Sequence, residues 1–592
     1  MKRAIVTTAA LVAAVVVLGL SLPPEQVVLT DAWDDRTVRG TLHVHSLFSD
    51  GRGSIDEIAA AAARAGLAFV VLTDHGDGTR RPEPPSYRSG VLCIDAVEIS
   101  TRNGHYVALG IGQAPYRLGG EARDVADDVR RLGGFGIAAH PDSPRAELSW
   151  SDWTATIDGI ELINADTAWR VQAVAAGWKG RALLLGSLFT YPVRPAESIA
   201  RLLTTSTEVR QHWTDMNASR QVVGLAGVDA HAKVPILDAE PGDNRFSIPI
   251  PSYESSFQTL SVHVVPARPF GGEASADAAS LLDGIRRGRA YVSIDGWASP
   301  AAFELHATNG TRTVQYGESL EAEGPVTLRG RSNAPDGYQA TVWRGSSLVA
   351  EGLPGREFEL AVGEAPGIYW VEVGRPSAAG PAWITSNPIY VGVRSGNGAR
   401  DERADSIADR VAPLGDGVAL FDGRTARGWS IEHDPTSLAS VDVAPTIDST
   451  GGAARVRLRY GLAGGDTAGQ YAAATAEIPF GAAAQAGGAA FSIRGERPMR
   501  VSVQVRADED GVPPQRWSRS IYVDSSERQY RIPFEDMRAV GQTRLPRPIR
   551  PALRALMFVV DTTNTKPGAS GRLWIGGVRL LPESAQRISG PR

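Results

Sequence analysis

Short apolar segments alternate with amphipathic segments between about residues 35 and 293 of the chain. In the first repeat, residues 41–45 predict a strand, and Ser54 to Glu57 form a capping box that begins a helix. Apolar residues then recur on one helical face until Gly66 ends the helix. Further strands are predicted at residues 69–72, 135–139 and 222–228. This alternation predicts parallel βα units, and therefore an α/β fold.

Beyond this region the helical period disappears, and β-like runs alternate with Gly and Pro turns. Residues 298–393 predict an Ig-like β-sandwich, which would be an accessory domain. Residues 394–415 are rich in charged and small residues and predict a linker. Residues 416–583 contain strands whose length and spacing suit a β jelly roll. The chain is therefore predicted to be a multidomain protein of α/β plus β class.

The amino-terminal residues 1–28 have the pattern of a targeting segment. Lys2 and Arg3 precede an uncharged stretch that runs to Pro24, and acidic residues follow it. The positive-inside rule then places the rest of the chain outside the cytoplasm, in the periplasm, at the cell surface or secreted. The apolar length suits either a cleaved signal peptide or a signal anchor with one transmembrane helix, which would associate the protein with the membrane.

Composition narrows the possible functions of this chain of 592 residues. Hydrophobic residues make up 43% and charged residues 21%, as in folded soluble proteins. The net charge of -5 offers no overall attraction for nucleic acid, so no nucleic-acid partner is expected. Cys93 is the single cysteine, which excludes an intrachain disulfide and a zinc cluster built from cysteines.

Imidazole and carboxylate side chains collect at the predicted strand ends. His43 and His45 lie on one face of a strand, because side chains alternate with a period of two. The other members are Asp50, His75, Glu98, His105, His140, Asp229 and His231. Since carboxyl ends of parallel strands share one edge of a sheet, these residues predict a multinuclear site for Zn, Mn or Fe.

These motifs resemble those of the polymerase and histidinol phosphatase (PHP) family of metal-dependent phosphoesterases over about residues 35–297. The matching segments are Leu42-His-Val-His-Ser46 with Asp50, Leu72-Thr-Asp-His75, Val97-Glu98, Gly104-His105, Ala139-His140-Pro141 and Gly227-Val-Asp-Ala-His231. The resemblance implies a distorted (β/α)7 barrel that holds two or three divalent ions. The motif set is also similar to that of the carbaryl-hydrolase-like branch of the family.

The resemblance further implies a set of ligands for each ion. The first ion would take His43, His45, Glu98 and Asp229; the second Glu98, His105 and His140; the third Asp50, His75 and His231. Asp50 stands where several family members have histidine, so occupancy of the third position and the identity of the metal stay open.

Divalent ions at such a site lower the pKa of a bridging water and hold phosphoryl oxygens as charge develops. We therefore expect an exported phosphoesterase that acts on a small phosphomonoester or phosphodiester. Asp229 and His231 are the candidates for moving a proton to the leaving oxygen. The alternatives are a carboxylic ester or carbamate hydrolase with the same metal site, and a non-catalytic envelope protein that binds glycan.

Several weaker candidates surround these motifs. Glu161 and Asn164 end another predicted strand and are candidates to line the pocket. Arg170, Lys179 and Lys233 are candidate phosphate-binding cations, although a solvated surface charge is the commoner role for each. The remaining histidines, His212, His263, His306 and His433, are expected to be structural or exposed, and Cys93 to be a core residue.

The last predicted domain is loosely similar to jelly-roll carbohydrate-binding modules. The similarity rests on Leu420-Phe-Asp-Gly423 with Trp429, on Arg516-Trp517, and on Phe558-Val-Val-Asp-Thr562. It implies a possible glycan partner for this domain. Trp429, Trp517 and Trp574 are candidates to stack on sugars, but tryptophans in a β-sandwich belong more often to its core.

Overall fold

A computed structural model describes residues 19, 21–31, 33–235, 247–321, 324–376, 380–393, 417–444, 454–465, 469–508 and 513–583. Most of the predicted targeting segment and all of the predicted linker lie outside these residues. Within the described ranges, no helix has the length and apolar character needed to cross a membrane. The chain divides into two compact units, residues 1–112 with 125–399 and residues 113–124 with 400–592.

The elements up to residue 299 include all eight α-helices of the described chain. In chain order they are β1 (Val27–Val28), β2 (Val38–Val44), α1 (Ile55–Arg64), β3 (Phe69–Leu72), β4 (Ser86–Arg88), β5 (Val91–Asp95), β6 (Val97–Thr101), β7 (Gly104–Leu109), α2 (Ala122–Arg131), β8 (Phe135–Ala138), β9 (Gly159–Asn164), α3 (Ala165–Val174), α4 (Lys179–Thr190), α5 (Pro195–Ala200), α6 (Thr207–Asn217), β10 (Val223–Gly227), β11 (Val234–Pro235), β12 (Ser247–Ile248), α7 (Tyr253–Phe257), β13 (Ser261–Val264), α8 (Ala274–Arg286), β14 (Ala290–Ser293) and β15 (Ala298–Ser299).

The remaining elements are strands and two short 3-10 helices. Up to residue 391 they are β16 (Phe303–Thr308), β17 (Thr313–Gln315), β18 (Ser319–Leu320), β19 (Val326–Ser332), β20 (Gln339–Arg344), β21 (Ser347–Pro354), β22 (Glu357–Gly363), β23 (Gly367–Gly374), β24 (Ile384–Ser386) and β25 (Ile389–Val391). From residue 418 they are β26 (Val418–Ala419), β27 (Trp429–His433), β28 (Leu438–Ala444), β29 (Arg455–Gly461), β30 (Tyr471–Glu477), β31 (Ala486–Gly495), β32 (Met499–Ala507), β33 (Gln515–Val523), β34 (Arg528–Pro533), a 3-10 helix (Phe534–Asp536), β35 (Arg538–Val540), a second 3-10 helix (Arg550–Ala552), β36 (Leu553–Asp561) and β37 (Ser570–Pro582).

The first helix follows the sequence prediction closely. The Ser54 side chain accepts from the Glu57 backbone N–H, and the Glu57 carboxylate accepts from the Ser54 N–H, which completes the capping box. Ile58 and Ala62 bury the apolar face. Gly66 has φ +74°, a left-handed conformation that glycine adopts without steric cost just beyond a helix end.

Two sheets position the predicted strand ends. Strands β2, β3 and β5 pair in parallel in one sheet, and β8, β9 and β10 pair in parallel in the other. Single parallel bridges join Val44 to Ala230 and His75 to Glu98, so the ends of β2, β3, β6 and β10 lie together. No helix separates β5, β6 and β7, and β7 pairs antiparallel with both β6 and β8. The prediction of regular parallel βα units is therefore wrong for this stretch.

Strands of the predicted sandwich form two groups. A four-stranded sheet has the order β17-β16-β19-β22. Strands β18, β25, β23 and β24 continue the large sheet of the α/β region, because β14 pairs with β24. The sheet thus runs across the boundary predicted at residue 297. Trp383 is fully buried in the core of this region, and its indole N–H donates to the Ala298 carbonyl.

The second unit contains two six-stranded sheets. One has the order β28-β29-β37-β31-β34 with β26 on β37, and the other β27-β30-β36-β32-β33-β35. Alternate residues of both sheets form one apolar core that includes Phe491, Trp517 and Phe558. Two antiparallel sheets around a shared core are the arrangement expected of a β-sandwich, which includes the jelly roll.

Candidate metal centre

Nine side chains of the α/β region form the candidate site, and each lies on a strand or in the loop that follows one. His43 and His45 lie at the end of β2, and Asp50 lies in the loop that leads to α1. His75 follows β3, Glu98 lies on β6, His105 on β7, His140 after β8, and Asp229 with His231 after β10. Their potential ligand atoms fall into four groups, each within 4.8 Å: His45, Asp50, His75 and His231; His43, Glu98 and His140; His43, His45 and Asp229; and His75, Glu98 and His105.

These groups bring together all the residues that the sequence motifs singled out as ligands. His45 also groups with Asp50, His75 and His231, whereas the resemblance assigned His45 to the first ion and those three residues to the third. His105 groups with His75 through Glu98. The role of each residue as a metal ligand stays a prediction, since proximity alone does not establish coordination.

Glu98 lies at the centre of the cluster. Its Oε1 is 2.8 Å from His105 Nδ1 and 3.0 Å from His140 Nε2. Its Oε2 is 3.1 Å from His75 Nδ1 and 3.3 Å from His43 Nε2. Burial alone would raise the pKa of Glu98, but His43 and the hydrogen bonds from His105 and His140 hold it well below its usual value. A carboxylate with imidazoles at both oxygens is suited to bridge two cations.

Asp229 provides the second buried carboxylate. Its Oδ1 lies 3.4 Å from His43 Nε2 and 3.3 Å from His45 Nε2. Neither imidazole nitrogen has a hydrogen-bond partner with acceptable geometry among the described residues, although both are buried. Buried polar atoms are normally satisfied. Two such nitrogens aimed at one carboxylate oxygen fit a divalent cation, for which they would act as ligands.

The pKa values of the imidazoles reflect the surrounding carboxylates. Burial by itself lowers the pKa of His43, but Asp229, Glu161 and Glu98 outweigh it and raise the pKa well above its ordinary value. Burial is likewise outweighed at His140, where Glu98 raises the pKa to about 9, and at His231, where Asp50 and Asp229 do so. A cation bound here therefore competes with protons.

Three members of the cluster have left-handed backbone conformations. The φ angles are +64° at His43, +28° at His140 and +48° at Asp229. Such conformations cost a non-glycine residue about 1–3 kcal/mol and persist only where the surrounding structure imposes them. All three lie at strand ends, where the turn of the backbone directs the side chain into the cluster.

Glu161 contacts two histidines of the cluster, at atoms that do not face the other carboxylates. Its Oε1 is 2.6 Å from His43 Nδ1, and its Oε2 accepts from the His140 backbone N–H at 2.6 Å and from Asn164 Nδ2 at 2.8 Å. A Cβ at Gly227 would come within 2.0 Å of Glu161 Oε1, so the neighbouring strand must carry glycine there. Binding of Nδ1 by Glu161 leaves His43 Nε2 directed at Glu98 and Asp229.

The motif residue Asp74 acts on the loop that carries Asp50. Its carboxylate accepts from the Ser46 backbone N–H at 2.8 Å, from Ser46 Oγ at 2.7 Å and from Ser49 Oγ at 2.6 Å. These bonds occupy both oxygens of Asp74, which belongs to none of the four ligand groups. Asp74 therefore orients the loop that carries Asp50.

The three candidate phosphate-binding side chains lie in different parts of the first unit. Arg170 Nε donates to Asp166 at 2.5 Å, and the charges of Asp229 and Asp50 also contribute to the raised pKa of Arg170. Lys233 lines a cavity beside the cluster, and Lys179 begins helix α4. Arg170 is therefore within electrostatic range of the cluster.

Residues expected to be structural lie away from the cluster. Cys93 is buried on β5, and burial raises its pKa to about 11, which leaves the thiol protonated and unreactive. His263 Nδ1 lies 2.9 Å from the Tyr291 hydroxyl. His212 stacks on Trp153 with ring centroids 4.0 Å apart.

In the second unit, Trp517 belongs to the core, and Trp429 is partly buried and packs against that core. The Trp429 indole donates to the Leu420 carbonyl and stacks near Phe558, and Trp517 is fully buried. The Arg494 guanidinium lies over the ring of Trp574, 4.0 Å from its centroid. Stacking of Trp517 on a sugar is therefore not available, and a glycan partner stays a prediction.

No family model matches the chain, and no curated protein sequence matches it. Among solved structures, a two-domain protein from Bacteroides vulgatus that contains a predicted PHP-like metal-dependent phosphoesterase is 16% identical over 62% of this chain and 98% of that chain, with a TM-score of 0.28. A family 11 carbohydrate-binding module from Clostridium thermocellum, in complex with a mixed-linked tetrasaccharide, is 16% identical over 29% of this chain and 98% of that chain, with a TM-score of 0.23. Scores this low carry no argument, so the chemistry rests on the site's own geometry.

Proposed function

We propose that this chain is a metal-dependent hydrolase of phosphate esters that acts outside the cytoplasm. The proposal is carried by two buried nitrogens, His43 Nε2 and His45 Nε2, which lack a hydrogen bond among the described residues. Both lie 3.3–3.4 Å from the carboxylates of Glu98 and Asp229. A purely structural site seldom needs nine potential ligands on one open edge of a fold.

The fold proposed for residues 35–297 is a distorted (β/α)7 barrel of the PHP type. The two bridges that link β2 to β10 and β3 to β6 support closure of the strands into a ring. Two or three divalent ions would be held by the four groups, and four residues each belong to two groups: His43, His45, His75 and Glu98. Bound there, such ions supply Lewis acidity that activates water and stabilises charge on phosphoryl oxygens.

The chain's own residues would complete the hydrolysis. The phosphorus–oxygen bond of the ester breaks, the oxygen of water ends on phosphorus, and the leaving alkoxide takes a proton to become an alcohol. With the third ion position empty, His231 would be the better candidate to give that proton, because its side chain is partly exposed in the cavity wall. The depressed pKa of Asp229 keeps its carboxylate ionised, so it is suited to accept a hydrogen bond from the attacking water and orient it.

Export is part of the proposal and rests on the amino-terminal segment alone. It is tested by fractionating cells that express the full chain and a version without residues 1–28. We expect the full chain in the envelope or medium and the version without residues 1–28 in the cytoplasm. The same localisation of both proteins would overturn this part of the proposal.

The central experiment counts transition-metal ions per purified chain and measures hydrolysis of phosphomonoesters, phosphodiesters, carboxylic esters and carbamates. The chains compared are the wild type, the His43→Ala/His45→Ala variant and His212→Ala, which removes a surface imidazole. Two or three ions and phosphate ester turnover, both lost only in the double variant, are expected. Turnover of carbamates or carboxylic esters alone would replace the substrate class, and absence of metal would overturn the proposal.

A further inference from the structure

A cavity of about 270 Å³ adjoins the candidate metal centre inside the first unit. Asp229 and His231 form part of its wall, so whatever occupies it contacts the cluster directly. Most of the remaining wall is apolar, with Trp169, Leu184, Leu188, Ile199, Leu202 and Val228 as the main contributors. An apolar cavity that shares a wall with reactive polar groups is the usual form of a small-molecule site.

The indole of Trp169 gives this cavity a fixed shape. Its Nε1–H donates to Asp166 at 2.8 Å, and the same carboxylate accepts from Arg170. The Arg170 guanidinium lies 4.6 Å from the Trp169 ring centroid, so the ring is held both at its edge and on one face. A ring positioned in this way offers a preformed apolar surface rather than one that must be ordered on binding.

The cavity opens along helix α4. Leu188 lines it yet is 48% exposed, so its side chain stands at the mouth. On the outer side of the same helix, Leu185 and Phe189 are also exposed. An apolar surface at the mouth suits a ligand that carries hydrocarbon, because such a surface costs free energy when it faces water alone.

We propose that this cavity binds the hydrocarbon part of the substrate, so that the ester hydrolysed at the cluster is amphiphilic, with a polar head at the cluster and an alkyl or aryl group in the cavity. This proposal rests on the proposed function. A cavity of about 150 Å³ lined by similar side chains holds benzene, so this cavity accommodates a group larger than one aromatic ring.

The first test is the chain-length dependence of hydrolysis in the metal-loaded protein, with ethyl, butyl, hexyl and octyl phosphate as substrates. Each methylene group buried in the cavity should raise kcat/KM about three- to fourfold until the cavity is filled. Rates that do not change along the series would overturn the proposal while leaving phosphate ester hydrolysis intact.

Two neighbouring residues provide a matched pair of variants. Leu188 lines the cavity and Phe189 does not, yet their exposed fractions are 48% and 49%. Leu188→Asp places a charge in the mouth and should flatten the chain-length dependence, whereas Phe189→Asp should keep it. Equal effects of the two variants would contradict the proposal, since both remove one exposed apolar side chain from the same helix.

Calorimetric titration of the metal-free protein with 1-octanol gives a readout that needs no activity. Binding should occur in the wild type and in Phe189→Asp and weaken at least tenfold in Leu188→Asp. If octanol binds in this pattern but no phosphate ester is hydrolysed, the cavity proposal stands and the proposed function fails. If octanol does not bind the wild type, the cavity proposal fails whatever the activity.

Discussion

Two histidines of the first unit are almost equally buried but differ in their affinity for protons. His140 is 4% exposed and His263 is 3% exposed. Burial lowers the pKa of both, yet Glu98 reverses the effect at His140 and raises its pKa to about 9. At His263 burial prevails, and the pKa falls to about 4.

The difference lies in the partners of each ring. His140 Nε2 is 3.0 Å from the Glu98 carboxylate, whereas His263 Nδ1 faces the hydroxyls of Tyr291 and Thr37. The carboxylates of Asp295 and Asp35 near His263 do not outweigh burial. Contact of a carboxylate with the ring itself therefore distinguishes an imidazole that is ready to exchange a proton for a cation from one that only packs.

The largest effect is expected from Glu98→Gln, which keeps the size of the side chain and removes its charge. Loss of the central carboxylate should abolish the full metal content and lower kcat/KM about a thousandfold, because several kcal/mol of transition-state stabilisation depend on the metals. Elemental analysis and steady-state kinetics measure both. A variant with normal metal content would remove Glu98 from the proposed ligand set.

In the metal-free protein, the raised pKa of His140 predicts a loss of stability in alkaline solution. The folded state holds the proton more tightly than the unfolded state, so this stabilisation is complete below pH 6.5 and is lost as the pH rises through about 9. Its size is about 3 kcal/mol at most. Urea denaturation of the metal-free wild type and His140→Gln between pH 6 and 10 tests it. Parallel pH profiles of the two proteins would contradict the assignment.

His263 predicts the opposite pH dependence with a similar magnitude. Here the folded state excludes the proton, so the stabilisation is complete above pH 6.5 and is lost as the pH falls toward about 4. The loss should again be about 3 kcal/mol at most, and metal should not alter it. Denaturation of wild type and His263→Gln between pH 7 and 4.5 measures the difference. If the variant shows the same acid sensitivity as the wild type, other groups cause it.

A smaller effect is expected from Glu161→Gln. The change weakens the contact with His43 Nδ1 and disturbs acceptance from the His140 backbone, so metal affinity should fall about ten- to a hundredfold. Competition with a chelator measures the affinity. Asn164→Ala is the matched control, because it removes a hydrogen-bond donor to Glu161 and the N-cap of helix α3 but leaves the contacts of Glu161 with His43 and His140. Unchanged affinity in Glu161→Gln would show that His43 is oriented by other contacts.

The smallest effect is expected from His212→Ala. This ring stacks on Trp153 at the surface and contacts no carboxylate of the cluster, so metal content should stay the same. The free energy of unfolding should change by about 0.5 kcal/mol or less. A loss of metal in this variant would contradict the inference that contact with a buried carboxylate distinguishes the metal-binding histidines from the others.

The local sequence was sufficient to predict individual strands and helices. The strand at residues 69–72 and the capped helix from Ile55 to Arg64 agree with their predictions, because side-chain periodicity and capping act within a few residues. The motifs also identified nine candidate ligands, since most of them lie at or just after the end of a predicted strand. The antiparallel pairing of β7 was missed, because strand direction depends on partners far along the chain.

By itself, therefore, the sequence determined which residue types stand at the strand ends and how the local elements form. Only the tertiary structure decided that Glu98 contacts several of the imidazoles at once, that Glu161 orients His43, and that helix α4 forms one wall of the apolar cavity. These contacts join residues that are far apart in sequence. Their energies depend on burial and on distances of a few ångströms, which local periodicity does not encode.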